Sequence, residues 1–173
     1  MDLAQRCGPI ELILSDVDGV LTDGGVVLDN NGIETKAFFI RDGLGIKLWL
    51  RAGYRFGIVT SRTSHLVQVR ADELGIDPVR QGVADKLPGV QTILGELRLK
   101  PEQVCYIGDD LPDLPVVQYV GLGVAVADGC EELRAVAHHT TSAAGGRGAV
   151  RELVETVLSA QQRWEGLIKR YYL

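Results

Sequence analysis

Two short segments hold the side chains best suited to chemistry. Asp16-Val17-Asp18-Gly19-Val20 sets two carboxylates one residue apart, and Gly108-Asp109-Asp110-Leu111-Pro112-Asp113 adds more late in the chain. Between them lie Thr60-Ser61-Arg62, two hydroxyls followed by a guanidinium, and then Lys86. Carboxylates gathered in one place repel each other and weaken a fold unless a cation neutralises them. Oxygen-only ligands favour Mg²⁺ over zinc. A carboxylate beside such an ion is free for acid–base work if its side chain stays outside the inner sphere, and a nearby lysine can offset developing negative charge. Singly, each piece has a plainer reading. Asp-Val-Asp-Gly can be a turn, Thr60 a helix cap, Lys86 a solvated lysine and Asp109-Asp110 a loop. Whether they act together depends on what stands before each of them.

What stands before them are short apolar runs. Ile10-Glu11-Leu12-Ile13-Leu14 precedes the first acidic segment, Arg55-Phe56-Gly57-Ile58-Val59 precedes Thr60, and Val104-Cys105-Tyr106-Ile107 precedes the second acidic segment. Gly121-Leu122-Gly123-Val124-Ala125-Val126 is a fourth run. Runs of this length read as buried strands of a parallel sheet. Helical patterns fall between them: residues 44–52, closed by Gly53; a helix from an N-cap at Ser64 to Leu74, stopped by Gly75; and residues 86–97. Val150, Leu153, Val154, Val157 and Leu158 repeat with the period of a helix that buries one face. The alternation predicts a Rossmann-like α/β fold, a parallel sheet with helices on both faces. Ligands of such sheets bind beyond the carboxyl ends of the strands, where the candidate residues all stand.

One segment departs from the alternation. Gly25-Val26-Val27-Leu28 and Thr35-Lys36-Ala37-Phe38-Phe39 flank Asp29-Asn30-Asn31-Gly32, which predicts a β-hairpin at about 25–40, directly after the first strand. No internal repeat or linker is visible, so residues 1–173 are expected to form one domain. The net charge of −5 lacks the basic excess of a nucleic-acid binder. Cys7, Cys105 and Cys130 have no metal or disulfide spacing, and the adjacent His138-His139 lack the helical spacing of a metal pair. Neither a leader at the N-terminus nor a membrane span is expected, which points to a cytoplasmic protein with no membrane partner.

The order and content of these motifs resemble the haloacid dehalogenase superfamily of phosphohydrolases, over a stretch from Leu12 to about Val154. The resemblance implies a Mg²⁺-dependent phosphomonoesterase working through an aspartyl phosphate. It implies that Asp16 is the nucleophile, Asp18 the general acid/base, Thr60 the hydroxyl that bonds the phosphoryl oxygens, and Lys86 the cation that offsets their charge. The metal would be held by Asp16, Asp109 and the backbone carbonyl of Asp18, with Asp110 and Asp113 supporting.

The chain has no room for the cap domain many of those relatives carry. Only 23 residues separate Asp18 from Asp42, and 25 separate Thr60 from Lys86. Within the superfamily it is similar to the cap-less, tetrameric sugar-acid phosphatases, chiefly those acting on 3-deoxy-D-manno-octulosonate 8-phosphate. Leu21-Thr22-Asp23-Gly24, Arg41-Asp42-Gly43-Leu44-Gly45-Ile46, Gln81-Gly82-Val83-Ala84-Asp85-Lys86 and Gly145-Gly146-Arg147-Gly148-Ala149-Val150-Arg151-Glu152 carry that likeness. It implies substrate contacts from Asp23, Gly24, Arg41, Ser61, Arg62 and Arg147, and a role in making lipopolysaccharide or another polymer. It also implies a homotetramer with shared active sites. Hairpins bearing Val26, Val27, Phe38 and Phe39 would assemble it, and a Gly-rich C-terminal tail and helix at about 145–173 would reach a neighbouring site. Arg62 suits a sugar carboxylate. Related phosphatases of nonulosonate 9-phosphates can carry glutamate there, so arginine favours the octulosonate branch. Ser61 stands where such relatives usually have glycine. A receiver-like phospho-acceptor module would use similar residues, but would not need the second acid, Asp18.

Overall fold

The computed structural model describes residues 1–172. In chain order the first half holds α1 (Leu3–Cys7), β1 (Leu12–Ser15), β2 (Val27–Leu28), β3 (Glu34–Thr35), α2 (Ile40–Arg51), β4 (Arg55–Val59), α3 (His65–Leu74) and β5 (Val79–Arg80). The second half holds α4 (Lys86–Leu97), β6 (Val104–Gly108), α5 (Leu114–Tyr119), β7 (Leu122–Ala125), α6 (Glu131–Val136), β8 (His139–Thr140), α7 (Ala149–Ala160) and α8 (Trp164–Ile168). Six strands form a parallel sheet in the order β5-β4-β1-β6-β7-β8.

The sheet is buried on both faces because its strands are apolar in both directions. Along β1, Ile13 belongs to one core with Ile46 and Trp49 of α2, Val67 of α3 and Leu153 of α7. Its neighbours Leu12 and Leu14 belong to the other, with Val90 and Ile93 of α4, Val116 of α5 and Leu133 of α6. Period-two alternation in a strand with no exposed face produces this division. Among the described residues no helix is long and apolar enough to cross a membrane.

Helix α2 starts at Ile40, four residues before the sequence pattern suggested, and runs through Gly43 and Gly45. Gly45 is there for close packing. A methyl group on it would stand 3.1 Å from Cα of Arg151, in the neighbouring α7. The hairpin forms as expected, with Val27 paired to Thr35 and Leu28 to Glu34. Its aromatic residues are placed differently. Val26 and Val27 are exposed, but Phe38 packs on the chain's own core, and Phe39 lies against Gly148. The Gly-rich segment also differs from a tail. Residues 145–148 form an internal loop lying on residues 19–23 of the same chain, and α7 follows at once. Gly146 N–H donates to Val20 O at 2.8 Å, and a methyl group on Gly145 would fall 1.7 Å from Gly19 O. His138 serves the fold: its Nδ1 accepts from Gly123 N–H at 2.9 Å.

Candidate functional site

The site is built by strand register. Ser15 is level with Ile58 of β4 on one side and with Ile107 of β6 on the other. The residues that follow, Asp16, Thr60 and Asp109, therefore leave the sheet side by side at its carboxyl edge. Asp16 is fixed there by its N–H donating to Ile107 O at 3.1 Å, and its Oδ1 accepts from Val17 N–H at 2.7 Å. Thr60 is buried, with its N–H on Arg80 O at 3.0 Å and its carbonyl accepting from Val83 N–H at 3.1 Å.

Lys86 opens α4 and is only 3% exposed. Its Nζ lies 2.8 Å from Asp16 Oδ2 and 2.6 Å from Asp113 Oδ1. Burial alone would favour the neutral amine, but the carboxylates of Asp113 and Asp16 outweigh it and raise the lysine's pKa. Asp113 is saturated with donors. Oδ1 also accepts from the buried Tyr106 hydroxyl at 2.6 Å, and Oδ2 accepts from Asp109 N–H at 2.9 Å and Asp110 N–H at 3.3 Å. It thereby ties the lysine to the loop that carries Asp109. Asp110 points elsewhere and caps the short 3₁₀ turn Leu111–Asp113 through Leu111 N–H, at 2.8 Å.

Carboxylate oxygens of Asp16, Asp109 and Asp113 lie within 4.8 Å of one another. The crowding shows in their acidity. Burial and the charge of Asp113 push Asp16 up, against the pull of Lys86. Burial, then Asp16 and Asp113, push Asp109 up to about 8. One lysine does not neutralise this group, and an all-oxygen set of this kind fits a hard divalent cation. Asp16 and Asp109 would hold it, with Asp113, which accepts from Tyr106, Asp109 and Asp110, bracing Lys86. Gly19 permits the arrangement. Its φ of +91° suits glycine alone, and a Cβ there would fall 2.0 Å from Asp109 Oδ2.

Asp18 stands outside this cluster, with an 18% exposed side chain paired to Lys36 through Oδ1. Arg62 Nη1 is 3.9 Å from the same oxygen. Arg62 itself is held by Glu34 at 2.8 Å, and Glu34 also accepts from the Ser64 hydroxyl at 2.6 Å. That hydroxyl bond and then the charges of Lys36 and Arg62 lower the Glu34 pKa. The arginine read as a partner for a substrate carboxylate is thus engaged by a carboxylate of its own chain. Ser61 is exposed beside it.

The remaining expected substrate contacts are spread out. Asp23 is exposed and accepts from Gly25 N–H at 3.1 Å, while Gly24 backs onto Gly19. Arg41 and Arg147 line a groove of about 480 Å³ with Phe39, Leu44, Arg151 and Glu155. Among the described residues neither arginine forms an ion pair with Asp16, Asp18 or Asp109. Arg147 Nη2 is 3.8 Å from Asp23 Oδ2. Lys36, Glu34, Ser64 and Tyr106 were not anticipated as part of the site. Glu34 and Lys36 stand two apart beside a strand and so share a face. Tyr106 is a hydroxyl inside an apolar run and needs a buried partner.

The sequence pattern of the haloacid dehalogenase-like hydrolases matches residues 76–153. The chain is 47% identical over 165 residues to the 3-deoxy-D-manno-octulosonate 8-phosphate phosphatase of Yersinia pestis, covering 95% of this chain and 88% of the relative. A crystal structure of that Yersinia pestis phosphatase superposes with a TM-score of 0.94, over 95% of this chain and 89% of the other. The crystal structure of the Moraxella catarrhalis phosphatase of the same name, in complex with a magnesium ion, a phosphate ion and a KDO molecule, is 42% identical. It superposes with a TM-score of 0.96 and covers 97% of each chain.

Proposed function

Because the chain belongs to the haloacid dehalogenase-like hydrolases, among the 3-deoxy-D-manno-octulosonate 8-phosphate phosphatases, we propose that it hydrolyses that sugar-acid phosphate with Mg²⁺ through an aspartyl phosphate. The observation that carries the reading is the buried contact of Asp16 with Lys86 amid the Asp16–Asp109–Asp113 cluster. Two anions must meet when a carboxylate attacks a phosphate ester, and only fixed positive charge makes that approach affordable. Asp16, Asp109 and the Asp18 carbonyl would hold Mg²⁺, which would supply charge neutralisation for the phosphoryl group.

The chain's own residues do the rest. Asp16 Oδ attacks phosphorus in line with the sugar oxygen, and Asp18 gives that departing oxygen a proton. Asp18, now a carboxylate, takes a proton from water as the water cleaves the acyl phosphate, which regenerates Asp16. Lys86 and the Thr60 hydroxyl hold the phosphoryl oxygens, and Asp113 keeps Lys86 aimed. Arg62 would exchange Glu34 for the carboxylate of the sugar acid, a pairing its planar fork can make with either.

The same reading includes a homotetramer. Without a cap, one subunit leaves the acyl phosphate open to water. Val26, Val27, Leu28 and Ile33 of the hairpin are each more than half exposed, an apolar edge suited to a second copy. The test is phosphate release from 3-deoxy-D-manno-octulosonate 8-phosphate beside a nonulosonate 9-phosphate. The octulosonate ester should be favoured, with turnover abolished by chelator and by Asp16→Asn. Undiminished turnover by Asp16→Asn, or preference for the nine-carbon ester, would reject the reading.

A further inference from the structure

The hairpin contributes a buried cation that the mechanism above does not use. The Lys36 side chain is 1% exposed although its backbone runs at the surface. Burying an ammonium is costly unless it is paired. Its partners are Asp18 Oδ1 and, at 3.4 Å, Glu34 Oε1. Glu34 is in turn anchored to Arg62 at 2.8 Å and to the Ser64 hydroxyl at 2.6 Å, both just beyond the end of β4. Ser64 is fixed as well, with its N–H on Gln81 Oε1 at 2.7 Å. A continuous polar chain thus runs from the β4 end through the hairpin to Asp18.

We propose that Lys36 is a positioning residue for Asp18: it grips Oδ1 from the hairpin, fixes the plane of the carboxyl group and leaves Oδ2 to carry the transferred proton. The proposal rests on the reading of Asp18 as the acid that protonates the departing sugar oxygen. Two features favour a built clamp over a chance ion pair. The contacts to Asp18 from Lys36 and Arg62 both fall on Oδ1. The lysine reaches across from a separate element, so Asp18 is held against rotation by something other than its own loop. Proton transfer needs the acid within hydrogen-bond reach of the leaving oxygen, and a loosely held carboxyl group spends little time there.

The experiment compares first-turnover rates for leaving groups that do and do not need an acid. Sugar release from 3-deoxy-D-manno-octulosonate 8-phosphate is followed by rapid quench. The burst from p-nitrophenyl phosphate, whose aryloxide departs without a proton, is followed by absorbance. Restricting the measurement to the first turnover separates the acid step from the later attack of water. Lys36→Met should slow sugar release by about tenfold or more and the aryloxide burst by less than about threefold, and Asp18→Asn should show the same asymmetry. Lys36→Gln, which keeps a donor for Oδ1, should lie closer to the parent protein than Lys36→Met. The preserved burst also certifies folding. Equal slowing of both substrates by Lys36→Met, or no slowing of either, overturns the proposal. If Asp18→Asn discriminates and Lys36→Met does not, the clamp alone is wrong. If Asp18→Asn itself fails to discriminate, the role of Asp18 falls and the clamp with it.

Discussion

Lys86 has little choice of position: almost fully buried, it lies between Asp16 at 2.8 Å and Asp113 at 2.6 Å. Lys86→Met would leave the crowded carboxylates without their internal cation. We expect kcat for phosphate release to fall on the order of a hundredfold to a thousandfold, with a smaller change in KM, in steady-state assays. The same crowding has a pH signature through Asp109, which is pushed up to about 8. The metal-free folded chain keeps that proton where the unfolded chain has lost it, so this group's contribution to stability declines as pH rises from the ordinary carboxylate range towards about 8. Magnesium binding must displace the proton. The Mg²⁺-induced rise in Tm should therefore be larger at about pH 8.5 than at about pH 6, and calorimetry near neutral pH in buffers of different ionisation enthalpy should show proton release. A Tm increment independent of pH would contradict this. Asp16, Thr60, Lys86 and Asp109 were legible in the sequence because each directly follows a strand or opens a helix, and local pattern fixes those positions. Lys36 and Glu34 were not. Their partners Asp18, Arg62 and Ser64 are distant in sequence, and only the folding of the hairpin over the sheet edge brings them together.

Between elements, α2 packs against α7, which directly follows the loop at residues 145–148. Asp42 of α2 is 2% exposed and accepts from Arg151 N–H at 2.7 Å, in the first turn of α7. Burial raises its pKa against the pull of the backbone amides of Arg151, Gly148 and Val150. Asp42→Ala would strand those amides, and should cost about 1–3 kcal/mol in urea unfolding. At Gly145 there is no space at all, since a methyl group would meet Gly19 O. Gly145→Ala must therefore push residues 19–23 away from the site. It should lower turnover more than Tm, and retention of full activity would show that the loop can yield. The long elements β4, α3 and α4 were readable from apolar spacing and from stops such as Gly75. The start of α2 was not, because Phe39 stands at its N-cap without a side-chain cap and nothing in the sequence marks Ile40 as a helix start. The short pieces α1, α5, α6, α8 and β8 carry too few residues for a period to show. Phe38 and Phe39 were expected to contact another copy, whereas Phe38 packs on the chain's own core and Phe39 lies beside Gly148, because hydrophobicity does not say which surface a side chain will cover.

At the scale of the whole molecule, no second domain among the described residues lies over the carboxyl edge of the sheet. The exposed apolar edge of the hairpin, Val26 to Leu28 with Ile33, is where other copies should close over that edge. Val27→Asp with Leu28→Asp should convert a tetramer to smaller species in sedimentation velocity and lower turnover together. Because Lys36 lies just beyond β3 of the same hairpin, loss of assembly should weaken sugar release more than the aryloxide burst. A fully active monomer at micromolar concentration would contradict the shared-site account. The proposed mechanism turns on one covalent event, the transfer of the phosphoryl group to Asp16 at the end of β1. It is tested most directly by acid-quenching the Mg²⁺-loaded protein within its first turnover of 3-deoxy-D-manno-octulosonate 8-phosphate and locating the phosphoryl group by peptide mass spectrometry. The account predicts phosphate on the peptide containing Asp16, absent in Asp16→Asn. Phosphate release with no phosphorylated peptide, or with the label on another residue, would contradict it.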